Sequence, residues 1–287
     1  MHLYSFRTAT SRGLAVRSGD AYLALTSEDV DFPGNLTTLV GGGVEQVLRA
    51  GEQLRSAGRP IDLAQVTLLP PVEPAKIVCV GLNYADHAAE ADFAKPDYPA
   101  FFSRFASSLI ASEAAILLPK ESDKLDYEGE LVAVIGRGGR RIARESALDH
   151  VVGYSIFNDA SIRDYQTRSA QWTIGKNFDG TGAFGPALVT ADALPPGGAG
   201  LAITTRVNGE VRQHSSTANL IFDVATLVAL VSEAMTLEPG DIIVTGTPAG
   251  VGHARKPPVY MAAGDVCEVD IERIGRLRNA VVCDGRA

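Results

Sequence analysis

Short apolar runs rich in β-branched residues recur along the chain, which is a pattern of buried strands. After about residue 70 these runs dominate, and turn signals such as Asn208-Gly209 and Pro239-Gly240-Asp241 separate them. We predict strands at 76–80, 131–135, 153–158, 187–189, 202–207, 241–245 and 266–271. Short strands without regular intervening helices favour a β-rich α+β class over a βαβ array.

Helical patterns are fewer. One predicted helix begins near Asp159 and runs toward Arg168, and another covers 221–234 with an apolar stripe. Residues 1–70 read as a small N-terminal α+β domain, with a hairpin around Gly19 and a helix at 44–57. A proline-rich join at 70–74 predicts that the catalytic domain covers 71–287.

Composition limits the class of protein. The chain has 287 residues, 46% of them hydrophobic and 21% charged, which allows a sizeable core. No apolar run reaches the roughly 18–20 residues that span a bilayer, and the start lacks a signal core, so we predict a cytoplasmic protein without a membrane partner. The net charge of −8 argues against nucleic acid as a partner. An anionic substrate would therefore need a local cationic pocket.

The three cysteines carry no obvious chemistry. Cys79, Cys267 and Cys283 are far apart and form no CxxC pair, so they predict neither a disulfide framework nor a zinc site. Cys79 lies in an apolar run and is expected to be a small core residue.

Two glutamates at the start of an apolar run are the first candidate for chemistry. Glu128 and Glu130 are two residues apart, so a strand places both on one face, which Val132 and Val134 continue inward. Two like charges at the end of a buried strand are costly unless a cation neutralises them. A divalent metal ion is one solution, and a solvated strand end is the alternative.

Asp159 ends a second predicted strand. Its carboxylate could be the N-cap of the following helix, or it could join Glu128 and Glu130. Three carboxylates form an all-oxygen site that suits Mg²⁺, Mn²⁺ or Ca²⁺ and does not suit zinc.

His87 and Glu90 are the candidate general base. On a helix they lie three residues apart on one face, so the carboxylate could orient the imidazole. A surface histidine with an incidental partner is the alternative reading.

The cationic candidates are Arg104, Arg163 and Lys176. Arg163 follows Asp159 by four residues, so one helical turn would return it toward that carboxylate; a solvated arginine is the alternative. Lys176 lies in an irregular glycine-containing stretch, where it could bind a substrate carboxylate or an enolate.

Two glycine-rich segments differ in what they predict. Residues 180–185 match GxGxxG, but Pro186 follows and no βαβ unit surrounds them, so we reject a dinucleotide site. Residues 246–252 follow a predicted strand, and their backbone N–H groups and the Thr247 hydroxyl could bind a carboxylate. A simple glycine turn is the alternative.

An ordered set of motifs carries a resemblance to a known family. The segments are Gly-Leu-Asn-Tyr-x-x-His-x-x-Glu at 81–90, Leu-Asp-Tyr-Glu-Gly-Glu-Leu at 125–131, Phe-Asn-Asp-x-Ser-x-Arg-Asp at 157–164, Gly-Lys-x-Phe-Asp at 175–179 and Gly-Thr-Pro-Ala-Gly-Val-Gly at 246–252. Together they resemble the fumarylacetoacetate hydrolase family, and the N-terminal unit resembles the small domain appended in bacterial members. The resemblance implies the family's mixed β-sandwich and roll, a homodimer, and a site for Mg²⁺ or Mn²⁺.

The same resemblance implies roles for individual residues. Glu128, Glu130 and Asp159 would be the metal ligands, and His87 with Glu90 would be the catalytic base. Catalytic Lys176 would also contact the substrate's oxygens. The other predicted substrate contacts are Arg104, Arg163, Gln166, Gly246 and Thr247. Arg104-Phe105 replaces the Lys-Pro of many bacterial relatives, and we place no counterpart of the fourth carboxylate of eukaryotic members.

The resulting hypothesis is a metal-dependent hydrolase that cleaves the C–C bond of a 2,4-diketo acid of the acylpyruvate, fumarylpyruvate or fumarylacetoacetate type, in aromatic catabolism. His87 would activate water, and Lys176 with the metal would stabilise the departing enolate. An oxaloacetate-type decarboxylase or a hydratase/isomerase of 2-oxo acids is the first alternative, because these reactions share the enolate. A non-catalytic metal- or ligand-binding protein of the same fold is the second.

Overall fold

Strands dominate residues 1–85 and 96–285, the part of the chain that this computed structural model describes. The strands are β1 His2–Arg7, β2 Arg12–Ser18, β3 Ala21–Thr26, β4 Arg59–Ile61, β5 Thr67–Leu68, β6 Ile77–Gly81, β7 Ala100–Arg104, β8 Leu109–Ile110, β9 Ile116–Leu118, β10 Leu125–Asp126, β11 Gly129–Ile135, β12 Val151–Asp159, β13 Ser161–Ile162, β14 Gly182–Thr190, β15 Ala202–Val207, β16 Glu210–Ser216, β17 Ile242–Val244, β18 Val266–Ile271 and β19 Gly275–Cys283. The α-helices are α1 Leu36–Leu39, α2 Gly43–Ala57, α3 Arg163–Gln166, α4 Thr173–Lys176 and α5 Val224–Ala234. The β-rich α+β class is confirmed. Among these residues, no helix combines the length and apolarity needed to cross a bilayer.

Two packed sheets form the frame of the described residues. The larger runs in the order β4-β3-β2-β1-β14-β12-β11-β17-β6-β7, with β5 added to β1 and β8 added to β14. The smaller has the order β16-β15-β18-β19-β9 and packs against β11, β12 and β14. β10 and β13 pair separately beside the ends of β11 and β12.

The central strands are buried on both faces. In β11, Leu131 and Ala133 belong to the core shared with the smaller sheet and α5, whereas Val132 and Val134 belong to the core shared with α2. This explains why the sequence at 131–135 is apolar at every position instead of alternating. Cys79 is completely buried in the second of these cores, as predicted.

The N-terminal unit has the predicted hairpin, β2–β3, and the predicted helix, α2. Its strand β1 pairs with β14 through His2 and Leu3, so the larger sheet continues across residue 70. The boundary between domains 1–70 and 71–287 stays a prediction.

The helix predicted from Asp159 is wrong at its start. Residues Ser161–Ile162 are extended, because their backbone pairs with Leu125–Asp126, and α3 begins only at Arg163. Asp159 is therefore the last residue of β12 and does not cap a helix. The second predicted helix begins slightly late, at Val224, where the Asp223 side chain caps it.

Candidate active site

Three carboxylates meet where two neighbouring strands end. Glu128 immediately precedes β11, Glu130 is its second residue, and Asp159 is the last residue of β12. The Asp159 N–H donates to the Glu128 carbonyl at 2.8 Å, which fixes the two strand ends side by side. One oxygen from each carboxylate lies within 4.8 Å of the others, and all three side chains are buried. The structure brings the predicted ligands together; metal binding by them stays a prediction.

Lys176 lies between two of these carboxylates. Its Nζ is 2.7 Å from Glu128 Oε2 and 2.5 Å from Asp159 Oδ2, and its side chain is 2% exposed. Burial alone would lower the pKa of Lys176, but Asp159 and Glu128 outweigh burial and raise the pKa. Lys176 is therefore a charged hydrogen-bond donor and not a base.

Glu130 differs from the other two carboxylates in having no cationic partner among the described residues. Its Oε2 accepts the Gly246 N–H at 2.5 Å. Burial, with the negative charges of Asp159 and Glu128, raises the pKa of Glu130 well above its usual value. Burial also opposes ionisation of Glu128, but Lys176 and Arg163 lower the pKa of that carboxyl to about 2. An added cation would therefore stabilise the ionised form of Glu130 more than that of the other two carboxyl groups.

The turn after β17 depends on glycine at 246. Gly246 has φ +104°, and a Cβ there would lie 2.8 Å from Asn83 Cβ and 3.0 Å from the Val80 carbonyl oxygen. We expect Gly246→Ala to lower the free energy of unfolding by about 2–4 kcal/mol, the combined cost of a positive φ and of overpacking. Denaturant unfolding measures this. The matched control is Gly264→Ala, at φ +96° with nothing within 4 Å of the added Cβ; an equal loss in both variants would contradict the packing argument.

Arg163 pairs with different acids from those predicted. Its Nε donates to Asp126 Oδ2 at 2.8 Å, and its Nη2 is 2.6 Å from Glu128 Oε1. The predicted approach to Asp159 does not occur, because the backbone between the two residues is extended and makes no helical turn.

Arg104 takes the place beside Asp159 instead. Its Nη1 donates to Asp159 Oδ1 at 2.5 Å, and its Nε and Nη2 donate to Ser108 and Thr181. The side chain is completely buried and is not part of the cavity wall. Arg104 is therefore a buried counter-ion of Asp159, and its contact with substrate stays a prediction.

A cavity of about 240 Å³ opens onto Glu128 and Glu130. Its polar lining includes most of the predicted site residues, namely Glu128, Glu130, Arg163, Gln166, Lys176 and Thr247. An aromatic wall stands beside Lys176: the Lys176 Nζ is 5.0 Å from the centroid of the Phe102 ring, and Trp172 packs edge-on against Phe102. The cavity thus combines a charged end with an apolar aromatic wall.

Gly246 and Thr247 have structural contacts within this site. The Gly246 N–H is occupied by Glu130, and the Thr247 hydroxyl donates to the Gly129 carbonyl at 3.0 Å. Gln213 reaches over from β16 and donates to Thr247 Oγ1, while its own Oε1 accepts the Gly129 N–H. These bonds tie the glycine turn to the strand that carries Glu128 and Glu130.

Two predicted site residues lie outside the described part of the chain, and two residues of the observed site were not predicted. His87 and Glu90 are outside the described residues, so the base stays a prediction. Asp126 and Gln213 were missed. Asp126 had a signal, because acids at 126, 128 and 130 continue the same alternation. Gln213 had none, because its partners lie far away in sequence.

The donor set fits a hard divalent cation. All three clustered groups offer carboxylate oxygen and none offers sulfur or imidazole nitrogen. Within the site, four buried carboxyl groups also face only three buried cations, so Glu130 has no cation of its own among the described residues. The carboxylates are Asp126, Glu128, Glu130 and Asp159, and the cations are Arg104, Arg163 and Lys176.

Comparison with known proteins gives consistent results. The family model described as fumarylacetoacetate (FAA) hydrolase C-terminal matches residues 76–282. The mitochondrial oxaloacetate tautomerase fahd2 of Xenopus laevis is 39% identical over 98% of this chain and 90% of its own length.

Two solved structures share the whole architecture. A fumarylacetoacetate hydrolase from psychrophilic Exiguobacterium antarcticum has a TM-score of 0.86 and 39% identity, over 99% of both chains. The maleylpyruvate hydrolase of Sphingobium sp. SYK-6, solved with manganese(II) and pyruvate, has a TM-score of 0.82 and 31% identity, also over 99% of both chains. The family match, the overall likeness and the carboxylate cluster agree: this chain belongs to the fumarylacetoacetate hydrolase family.

Proposed function

We propose that the chain is a divalent-metal-dependent enzyme that interconverts the keto and enol forms of a small 2-oxo acid of the oxaloacetate type. The observation that carries the proposal is the buried carboxyl group of Glu130, which has no cationic partner among the described residues and lies in a cavity that Arg163 and Lys176 also line. The likeness to oxaloacetate tautomerases over nearly the full chain supports the choice of reaction.

Mg²⁺ or Mn²⁺ held by Glu128, Glu130 and Asp159 would supply a Lewis acid for the 2-oxo group. The remaining work belongs to side chains. A divalent charge turns the local balance positive, which suits the carboxylate of a 2-oxo acid, and Arg163 lies at the cavity wall to receive that carboxylate.

Lys176 can stabilise negative charge that develops on the substrate. Its ammonium can donate to the oxygen that gains negative charge when a proton leaves C3 of the substrate. The apolar wall formed by Phe102 and Trp172 lowers the polarity beside this charge, which strengthens the interaction. We keep His87 with Glu90 as the predicted proton acceptor.

Hydrolysis of the C–C bond of a 2,4-diketo acid is the second candidate. It is favoured by the likeness to the manganese- and pyruvate-containing maleylpyruvate hydrolase and by the shared enol chemistry. Cytoplasmic location, the homodimer and a role in aromatic catabolism stay predictions, and the relatives named as tautomerases are described as mitochondrial.

The deciding experiment separates these reactions by their products. The purified protein is given enol-oxaloacetate and an acylpyruvate with Mn²⁺ or with chelator, while enol absorbance and pyruvate are followed. We expect metal-dependent loss of the oxaloacetate enol without pyruvate release, at about 10²-fold or more above the chelated protein, given what Lewis-acid and oxyanion stabilisation contribute. Stoichiometric pyruvate from the acylpyruvate would identify the hydrolase, and pyruvate from oxaloacetate a decarboxylase. No turnover of either would reject an enzyme and favour a binding protein.

A further inference from the structure

Asp126 is a completely buried carboxylate that belongs to the site without belonging to the triad. It is the last residue of β10, two residues before Glu128, and it is 0% exposed. It is absent from the carboxylate cluster. A buried charge of this kind persists only where hydrogen bonds and a counter-ion stabilise it.

Four donors satisfy Asp126. Oδ1 accepts the backbone N–H groups of Tyr127 at 2.9 Å and Gly252 at 2.8 Å. Oδ2 accepts the His253 N–H at 2.8 Å and Arg163 Nε at 2.8 Å. One carboxylate therefore joins the glutamate-bearing strand to a guanidinium and to the segment after the glycine turn.

The effect of these bonds is to fix how Arg163 faces the cavity. Asp126 holds Nε, and Gln166 Oε1 accepts from Nη1 at 2.8 Å. Nη2 is 2.6 Å from Glu128 Oε1 beside the cavity. A guanidinium held at these three positions keeps one orientation, so less entropy is lost when an anion binds to it.

His253 is also held by Asp126. Its backbone is fixed by Asp126, while its ring lines the cavity wall and its Nδ1 lies 2.9 Å from Tyr260 Oη. The Asp126 carboxylate therefore positions two residues of the cavity wall, Arg163 and His253.

We propose that Asp126 is a positioning residue for the substrate, which orients Arg163 to bind the carboxylate of the 2-oxo acid. The proposal rests on the proposed function and adds to it the residue that fixes the orientation of the arginine. In Asp126→Asn, one oxygen becomes an NH₂ that faces N–H donors, so the arrangement is lost although the side chain keeps its size.

The test measures binding of oxalate, a planar analogue of the enol form that does not react, to protein saturated with Mn²⁺. We expect Asp126→Asn to weaken oxalate binding by about 10- to 100-fold, the loss of one or two charge-assisted hydrogen bonds. A purely electrostatic role predicts the opposite sign, because removing a negative charge near the site would tighten the binding of an anion. Calorimetry with wild type and variant gives both the sign and the size.

Asp241→Asn is the matched control. Asp241 is another buried carboxylate, 1% exposed, that accepts from the Lys76 N–H, from Lys76 Nζ and from the Glu238 N–H, away from the cavity. It should lose stability and bind oxalate within about twofold of wild type, as expected for a distant site. Equal weakening in both variants at equal loss of stability would reduce Asp126 to a structural role and overturn the proposal.

A second variant covers the case in which Asp126→Asn does not fold. Asp126→Glu keeps the charge but displaces the oxygens by about one C–C bond, and it should still weaken oxalate binding, by roughly 10-fold for one poorly formed charged hydrogen bond. Wild-type affinity in Asp126→Glu would overturn the proposal. Failure of the wild type itself to bind oxalate with Mn²⁺ would instead reject the proposed function.

Discussion

Lys176→Met should lower kcat for the proposed keto–enol interconversion by about 10²- to 10³-fold, which is the usual effect of removing a hydrogen-bond donor to developing negative charge. Metal affinity should stay the same or rise, because the variant removes a positive charge that touches Glu128 and Asp159 at 2.7 Å and 2.5 Å. Without metal, the free energy of unfolding should fall by about 3–5 kcal/mol, since two buried carboxylates lose a partner. Added Mn²⁺ should restore much of that loss.

The measurements are steady-state kinetics, Mn²⁺ calorimetry, and unfolding with and without chelator. Lys76→Met is the control, because Lys76 Nζ also bridges two carboxylates, Glu238 at 2.6 Å and Asp241 at 2.9 Å, but its side chain is 29% exposed and lies outside the cavity. Its loss should leave kcat unchanged. A Lys176→Met enzyme with normal kcat, or one that has lost its metal, would refute the role assigned to the ammonium.

Glu130→Gln and Glu128→Gln should separate metal binding from stability. Both remove a predicted ligand, so both should weaken Mn²⁺ binding by more than about 100-fold, beyond the effect of altering a group that only supports a ligand. In the metal-free protein they should differ. Glu128→Gln should cost about 3 kcal/mol because Lys176 and Arg163 lose a buried partner, whereas Glu130→Gln should stay within about 1 kcal/mol of wild type.

Chemical unfolding in chelator, followed by calorimetry with Mn²⁺, tests this pair. The two variants serve as controls for each other, since each replaces a buried glutamate by its amide two residues apart on one strand. Equal destabilisation would mean that Glu130 has a partner of the same strength as Glu128. Undiminished Mn²⁺ binding in both would place the ligands elsewhere.

The carboxylate triad could be predicted because its signals are local. The spacing of Glu128 and Glu130 fixes a common face on any strand, and Asp159 ends the strand that pairs with theirs. All seven predicted strands recur, five of them with shifted ends, because an apolar run defines the buried positions of a strand better than its limits.

The pairing of charges could not be predicted, because it depends on where distant segments meet. Arg163 pairs with Asp126 and not with Asp159 because the two residues before it, Ser161–Ile162, form a strand. The partner of that strand lies more than thirty residues earlier in the sequence. The place of Arg104 behind Asp159 likewise requires β7 to end beside β12, which no spacing in the sequence reveals.

Side chains of the N-terminal unit, among them Leu14, Val47 and Leu54, share one continuous core with Cys79 and Val244 of the central strands. Val244 lies two residues before Gly246, whose N–H holds Glu130. Neither part can open without exposing apolar surface of the other, so the chain is expected to unfold cooperatively and not in two separate steps. Substitutions in α2, far from any carboxylate, should then change how often the glycine turn opens and, through it, how rigidly the site is held.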